Sequence, residues 1–426
     1  MSRTLRSLVA ASIACISGTA LSDPSATVTG DWSGARSRLS DAGLDLSLGY
    51  TSEAATNVQG GARHDATETG QFTLGATADT GKLFGLEGGT FQASLTYRRG
   101  KNLVQRAGLG TLLQVQEVYG RGQTWRVTEL WYQQQIGGGV DVKIGRLPVG
   151  GDFSSFSCDY MNGAFCGAPV GNIAGDFWYN WPVSQWAGRI RVQHGAWYAM
   201  AGAYEVNPRN LDNDFFVGHF HGATGVLAPF EAGVRTRVGS HGLPGLYRIG
   251  GWYSSANADD VLLGADRRPA TLAGTPMLQR SGRYGGFVML QQQLSGRYRI
   301  DPRTGPQTTH GLTAFLTVTQ TDRDTERVDN QITAGLRYLG ALPGRPADSI
   351  QLGFARSHVN HRAAVNEVDR EGGALLRSEY EIELDYAAQL LGYLTMEPNL
   401  QYVVHPGGDD KRRDVIVLGA KTAISF

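Results

Sequence analysis

Apolar and polar residues alternate in segment after segment, from residue 44 to the last residue of the chain. Between Glu379 and Leu390, tyrosine, isoleucine, leucine and alanine occupy the even-numbered positions, whereas the odd-numbered positions begin with three glutamates and an aspartate. Because successive side chains of a β-strand point to opposite faces, this segment predicts a strand with one apolar and one charged face. Long helical periodicity is absent from the sequence, so we predict an all-β fold.

We count about sixteen candidate strands. Clear alternation marks nine segments, at 44–50, 72–78, 91–97, 198–206, 247–253, 312–318, 332–338, 379–390 and 416–426. Seven less regular candidates lie at 125–135, 140–146, 187–194, 223–237, 284–298, 349–357 and 394–404. An even number of strands with an apolar outer face and a polar inner face is typical of a transmembrane antiparallel β-barrel. Tyrosines that recur at strand ends suit the aromatic girdles of such a barrel.

The connections between the candidate strands alternate in length. Tight links at 137–139, 194–196 and 391–392 alternate with long ones near 100–123, 147–186, 254–283 and 358–378. Short periplasmic turns and long external loops are expected of an outer-membrane barrel, whereas a β-sandwich has no reason to alternate. Counting strands makes 147–186 the third external loop, which we predict to fold into the lumen.

The first 22 residues predict a signal peptide. Arg3 and Arg6 precede an apolar run from Leu8 to Ile16, and small residues at positions 20 and 22 suit a peptidase. A short buried helix and a lipoprotein signal at Cys15 fit this pattern less well. Residues 23–43 are then a periplasmic segment with a short helix that begins near Asp31 or Ser33 and ends at Gly43. This segment either plugs the periplasmic mouth or leads the chain into the barrel, which is predicted at 44–426.

Charge and cysteine content narrow the function further. The chain has 39 basic and 39 acidic residues, and removing Arg3 and Arg6 leaves 37 against 39. This balance gives no electrostatic basis for nucleic-acid binding.

Two cysteines remain in the mature chain, Cys158 and Cys166, and an exported pair so close in sequence predicts a disulfide. The alternative is two buried free thiols.

Enzymatic signatures are absent from the sequence, so we expect no catalytic residues, no cofactor and no metal. His219 and His221 fall on the same side of a strand or turn, but the sequence offers no third ligand nearby and favours exposed loop histidines. The four acids between Glu379 and Asp385 resemble a glycosidase pair only superficially. Because their charge is spread along one face, we interpret them as part of the lumen wall.

Aromatic residues concentrate in the predicted third loop and beside it, where Trp178, Tyr179, Trp181 and Trp186 lie within nine residues. Aromatic rings stack on the apolar faces of sugars, while neighbouring polar groups bond the hydroxyls. The alternative is that these rings pack the loop against the wall or belong to the interfacial girdle.

Several long motifs resemble the carbohydrate-selective porin family (OprB type) of Gram-negative outer membranes. The resemblance covers essentially the whole mature chain. Its motifs are Thr29–Trp32, Gln116–Arg126, Gly145–Phe153, Phe156–Asp159, Phe165–Gly167, Gly171–Trp186 and Val206–Leu211. The resemblance implies a sixteen-stranded barrel with a narrow channel that admits monosaccharides such as glucose.

The resemblance also implies a constriction made of arginines, an acid and a tryptophan. The best matches are Arg98 or Arg99, Glu117 and Trp181. Further lumen candidates are Arg121, Arg126, Arg146, Trp178, Trp186, Arg189 and Arg191. Each arginine has an alternative role, in which it pairs with a lumen carboxylate and holds the loop.

The expected partners are monosaccharides, outer-membrane lipid and the barrel-assembly machinery. The last of these follows from the resemblance, since Phe426 is similar to the terminal aromatic residue that the machinery recognises. The sequence does not distinguish a monomer from a trimer. A general diffusion porin, or an outer-membrane barrel enzyme on the same scaffold, is the alternative function.

Overall fold

The computed structural model describes residues 26–215, 218–301 and 305–426, so the predicted signal peptide at 1–22 lies outside the described residues. The described residues contain nineteen strands. These are β1 (Leu44–Gln59), β2 (Ala66–Asp79), β3 (Gly89–Gly100), β4 (Trp125–Gly137), β5 (Val140–Leu147), β6 (Gln185–His194), β7 (Trp197–Val206), β8 (Gly225–Val238), β9 (Leu243–Ser254), β10 (Ala258–Gly264), β11 (Met277–Arg280), β12 (Arg283–Gln293), β13 (Arg297–Asp301), β14 (Gly305–Thr321), β15 (Val328–Leu339), β16 (Ser349–Val359), β17 (Ser378–Leu391), β18 (Leu394–Val404) and β19 (Val415–Ser425).

Sixteen of these strands form a closed antiparallel barrel. Each barrel strand pairs with its neighbours in chain order, and β1 pairs with both β2 and β19. The closing register runs from Gly49 opposite Ser425 to Gln59 opposite Ile416. The other three strands lie outside the ring, since β10 and β11 form a separate hairpin and β13 pairs with the start of β14. The predicted sixteen-stranded barrel is therefore confirmed, with each of the sixteen candidate segments overlapping one barrel strand.

The helices are short and belong to the segments between or before the barrel strands. They are α1 (Ala35–Ala42), α2 (Thr80–Phe84), α3 (Leu103–Ala107), α4 (Ala270–Ala273) and α5 (His361–Glu371), together with 3-10 turns at Val149–Gly151, Gly163–Phe165, Pro208–Leu211 and Pro406–Gly408. Within the described residues, no helix is both long and apolar enough to span a membrane.

The two ends of the barrel differ in the length of their connections. One end carries tight turns at 138–139, 195–196 and 392–393, and we name it the short-turn end. The other, the long-loop end, carries the connections 101–124, 148–184, 207–224, 255–282 and 360–377. The long-loop end also carries three shorter connections, at 60–65, 322–327 and 405–414. The connection 148–184, which we name the inward loop, is the third of these in chain order.

Alternation within the strands separates the outer and inner faces as predicted. In β17 the side chains of Ile382 and Leu384 are 40% and 45% exposed on the outside, whereas Glu381 and Glu383 are at most 2% exposed inside. An apolar band of this kind is what a barrel presents to lipid.

In strand β7 the longer apolar face points into the barrel, which is contrary to the prediction that apolar faces point outward. Its apolar side chains from Tyr198 to Val206 point inward, and Tyr204 is fully buried against Phe153 of the inward loop, with ring centroids 6.0 Å apart. Trp197 lies on the opposite face and is 63% exposed. The inward loop carries apolar side chains of its own, so the part of the wall that supports it must be apolar as well.

The N-terminal segment lies beside the barrel seam. Helix α1 ends at Gly43, which has a φ of 102°, and Asp31 accepts a hydrogen bond from the Ser37 backbone N–H at 2.8 Å. The Val28 N–H donates to the Ser425 carbonyl at 2.9 Å, and Arg36 donates to the Phe426 carbonyl at 2.7 Å. These contacts attach the segment to the end of β19.

A closed ring of backbone hydrogen bonds leads to a first prediction. The detergent-solubilised protein is expected to resist dodecyl sulfate at room temperature and to change its mobility on a gel after boiling, because opening the ring requires many bonds to break together. Electrophoresis of paired heated and unheated samples measures this shift. Identical mobility in both lanes would contradict a closed barrel.

Candidate functional site

The inward loop is held in the lumen by polar side chains of the wall. The Glu383 carboxylate accepts hydrogen bonds from the backbone N–H groups of Met161 at 2.7 Å and Asn162 at 3.0 Å. The Gln331 side chain donates to the Ala164 carbonyl at 3.0 Å. A loop that leaves water must have its backbone groups paired, so the wall supplies the missing partners.

A cluster of ion pairs anchors the start of the loop. Lys143 and Arg189, from β5 and β6, contact the Asp152 carboxylate at 2.8 and 3.2 Å. Arg189 also pairs with Asp141, and its side chain is 2% exposed. Arg189, a predicted lumen residue, therefore points inward but is buried in a structural cluster.

The acidic face of β17 has the same anchoring role. Glu379 accepts hydrogen bonds from the backbone N–H groups of Leu112 at 2.8 Å and Gly407 at 2.6 Å, and so holds two further connections. Glu379, Glu381, Glu383 and Asp385 are each at most 2% exposed. These acids face inward, as expected of the lumen wall, and the inward-folded connections cover them.

Gln71 brings two of the predicted site residues together. Its side-chain oxygen accepts hydrogen bonds from Arg98 Nε at 2.7 Å and from Trp181 Nε1 at 3.1 Å. Gln71 lies on β2 and Arg98 on β3, whereas Trp181 lies near the end of the inward loop. The loop therefore contacts the wall at β2 and β3, and an indole ring lies beside a guanidinium.

Arg99 points the other way. Its side chain is 45% exposed and contacts Glu68 at 3.0 Å and the Tyr50 hydroxyl at 2.8 Å on the outer face. Successive side chains of a strand point to opposite faces, so Arg99 must point outward if Arg98 points inward. Arg99 is therefore removed from the predicted channel lining.

Glu117 lies against the disulfide of the inward loop. Cys158 and Cys166 form the predicted disulfide, and Glu117 Oε2 is 3.5 Å from Cys166 Sγ. The other carboxylate oxygen is 3.1 Å from Lys421 Nζ, and the Glu117 side chain remains 13% exposed.

The predicted tryptophans occupy different environments. Trp178 is 3% exposed and packs edge-on against Trp252, with ring centroids 5.2 Å apart, so it belongs to the core between loop and wall. Trp186 lies on the outward face of β6 with Ile190 and stacks on Phe220 of the connection 207–224. Trp186 is thus wrongly predicted as a lumen residue, because alternation puts it on the face opposite Gln185.

The remaining arginines are mostly engaged with loop atoms. Arg126 and Arg146 are 6% and 4% exposed, and both donate to Asn210 of the connection 207–224. Their contacts support a structural role in place of the predicted lumen lining. Arg191 lies over the Tyr198 ring at 4.7 Å, and Arg121 is 40% exposed and pairs with Asp176 of the inward loop at 3.4 Å.

Glu326 is a buried acid on the short connection between β14 and β15. Burial raises the pKa of Glu326 to about 8, and Arg283 at 3.7 Å offsets only part of this effect. A Cβ added at Gly175 would lie 2.6 Å from Glu326 Oε2, so the inward loop approaches the acid closely. The protonated acid is the form favoured at this contact.

The sequence favoured exposed loop histidines with no further ligand nearby at His219 and His221, and this is wrong for His219, which is 3% exposed. Asp212, Asp214 and His219 have candidate ligand atoms within 4.8 Å of one another. His219 Nε2 is 3.2 Å from Asp214 Oδ1, so the imidazole and this carboxylate contact each other directly in the loop 207–224.

Gln71 and Lys421 were missed by the sequence analysis. Both lie on the inward face of a strand, opposite the apolar run that defined the strand in the sequence, and a search for polar residues opposite each apolar run would have included them. Lys421 is distinctive, because Val415, Val417 and Gly419 precede it on the same face of β19.

Comparisons with known proteins identify a family and several relatives of this chain. Residues 63–426 match the model of the carbohydrate-selective porin, OprB family. The chain is 42% identical to Porin B of Pseudomonas aeruginosa over 96% of its own length and 93% of that protein. It is 30% identical to the putative porin QuiX of Acinetobacter baylyi, covering 93% and 92% of the two chains. The high-pH structure of Pseudomonas putida OprB superimposes with a TM-score of 0.89 at 39% identity, covering 96% of this chain and all of that one.

A closed sixteen-stranded barrel with a loop folded into its lumen defines a porin. The chain belongs to the carbohydrate-selective porin family. It is therefore a channel protein of the Gram-negative outer membrane and not an enzyme, and carbohydrate is its class of substrate.

The disulfide leads to a second prediction. Closing a short loop between residues eight apart in sequence stabilises by roughly 2–3 kcal/mol at most, so Cys158→Ser is expected to loosen the inward loop without unfolding the barrel. Single-channel recording should show larger or noisier current, while the heat-dependent gel shift is retained. Free reaction of both thiols with an alkylating reagent in the unreduced native protein would refute the disulfide.

Proposed function

We propose that the channel conducts glucose and similar monosaccharides into the periplasm through a narrow constriction between the inward loop and the wall formed by β2 and β3. Arg98, Glu117 and Trp181 are the residues proposed to contact the sugar. The observation that carries the proposal is the convergence of Trp181 and Arg98 on Gln71. It supports a site with one stacking surface and one cationic hydrogen-bond donor.

The chemistry of a pyranose suits this pair of groups. The C–H face of the ring packs on an indole, and the hydroxyls at its edge accept from a guanidinium and donate to a carboxylate. Glu117 supplies the carboxylate from the connection 101–124, with part of its side chain still exposed. A diffusion channel must also release its solute, so we expect affinity no tighter than high micromolar.

The finer organisation of the chain is proposed on the same basis. Residues 1–22 act as a signal peptide and 23–43 as a periplasmic segment before the barrel. Phe426 is proposed as the residue recognised by the assembly machinery. The hydrogen bonds that its backbone makes to Leu48 and Arg36 support its position at the seam between β1 and β19.

Trp181→Ala tests the stacking surface. Loss of the ring is expected to weaken glucose block by about 1–2 kcal/mol, which is roughly five- to thirtyfold in concentration, while salt conductance stays similar or rises. Planar-bilayer recording with increasing glucose measures the half-blocking concentration.

Trp186→Ala is the matched control, because it removes the same ring from the outer face of the barrel. It should leave glucose block unchanged. Unaltered block in Trp181→Ala would remove this residue from the site, and absence of block in the wild type would favour a general diffusion porin.

Glu117→Gln tests the carboxylate. Removing its negative charge is expected to shift ion preference toward anions, because the cationic side chains then dominate the local field. Sugar binding should weaken less than on loss of the Trp181 ring. Reversal potentials in a salt gradient measure the first effect, and an unchanged potential would place Glu117 outside the conducting path.

A further inference from the structure

Lys421 is a buried cation at the point where three parts of the channel meet. It projects inward from β19 and is almost fully buried. Its register partners are Glu53 on β1 and Glu397 on β18, so acids flank it on both neighbouring strands. A buried ammonium surrounded by charge is costly unless its hydrogen bonds are made, which makes its contacts informative.

The contacts of Lys421 Nζ join the inward loop to Glu117. The ammonium lies 2.9 Å from the Cys158 carbonyl and 3.1 Å from the Tyr160 carbonyl. It lies 3.1 Å from Glu117 and 3.5 Å from Glu53. Two bonds thus go to the disulfide-bonded turn of the inward loop and the rest to carboxylates.

Exposure decreases from the lumen into the wall across this cluster. The side chains of Glu117, Lys421 and Glu53 are 13%, 6% and 0% exposed. Glu117 is therefore the member that reaches the lumen. Its backbone is held as well, since the Glu117 N–H donates to the Met161 carbonyl at 2.8 Å and the Val118 N–H donates to Glu53 at 3.1 Å.

We propose that Lys421 is a positioning residue that fixes the orientation of the Glu117 carboxylate, neutralises part of its charge and sets its distance from the disulfide-bonded turn. Through Glu117, Lys421 controls the ion preference of the constriction and the sugar contact. The part that concerns sugar rests on the proposed function, whereas the part that concerns ions does not.

Removal of the ammonium has a definite electrostatic consequence. The partly exposed Glu117 carboxylate would then lose its cationic partner, which makes the local potential more negative. The Glu117 carboxylate would also lose the bond that orients it. If Lys421 only stabilised the inward loop, its removal would change conductance and noise. Its effect on ion preference would then not depend on the charge of Glu117.

A double-mutant cycle of Lys421→Met and Glu117→Gln separates these two roles. Lys421→Met alone is expected to raise the ratio of potassium to chloride permeability on the order of threefold. In the Glu117→Gln background the same substitution should have an effect at least about twofold smaller. Lys421→Arg keeps the charge and should give a reversal potential close to that of the wild type.

Lys143→Met is the matched control. Lys143 is another buried lysine that anchors the inward loop, but its ion pair goes to Asp152 rather than Glu117. Its effect is expected to add independently to that of Glu117→Gln. Equal effects of Lys421→Met in both backgrounds, or equal coupling for Lys143→Met, would overturn the proposal.

Two precautions keep the outcome decisive. If Lys421→Met lacks the heat-dependent gel shift, the cycle is run in a Glu53→Gln background, which removes the acid that is left fully buried. Glucose block is measured on the same channels as the reversal potential. Absence of block in the wild type would refute the proposed sugar site, while the coupling in permeability would still decide the role of Lys421.

Discussion

Closure of the β1–β19 seam is the constraint on which the other features depend. Ten residue pairs align across this seam, from Gly49–Ser425 to Gln59–Ile416, and complete the ring of backbone hydrogen bonds. Inside a hydrocarbon layer, unpaired strand edges are too costly, so the wall must close before it can face lipid. Once the ring is closed, the period of two divides every strand into an apolar outside and an inside that is available for other purposes.

The inward-facing side chains of the barrel wall chiefly bind loops that fold into the lumen. Glu379 and Glu383 accept from backbone N–H groups of three different connections, and the Lys143, Asp152 and Arg189 cluster anchors the start of the inward loop. These charged groups are retained because a loop in the lumen exposes N–H and C=O groups that water no longer reaches. The same requirement explains why β7 turns its apolar face inward, toward the apolar part of the loop.

Sequence patterns predicted the strands far better than the site. Alternation is a local property, so all sixteen barrel strands and the third-loop position followed from it. The contact of Trp181 with Gln71 joins residues 110 positions apart, and no local pattern encodes such a distance. Arg99 was assigned to the lumen by family resemblance and Trp186 by the aromatic cluster of the predicted loop, but alternation along β3 and β6 places both on the outer face. Lys421 is a single charge on a face of β19 that begins with Val415 and Val417, so no repeated polar pattern marks it.

Because charged side chains of the wall anchor the loops, few of them remain to contact the solute. Arg126, Arg146 and Arg189 are engaged by loop oxygens and acids, and the acidic face of β17 is covered, so a wall rich in charge presents little of it to the lumen. Passive transport needs sites that bind weakly enough to release. The proposed constriction offers the solute one indole, one guanidinium and one partly neutralised carboxylate, whereas a lumen lined by every available arginine would attract anions. The burial of these charges beneath loops therefore suits a channel for neutral solutes.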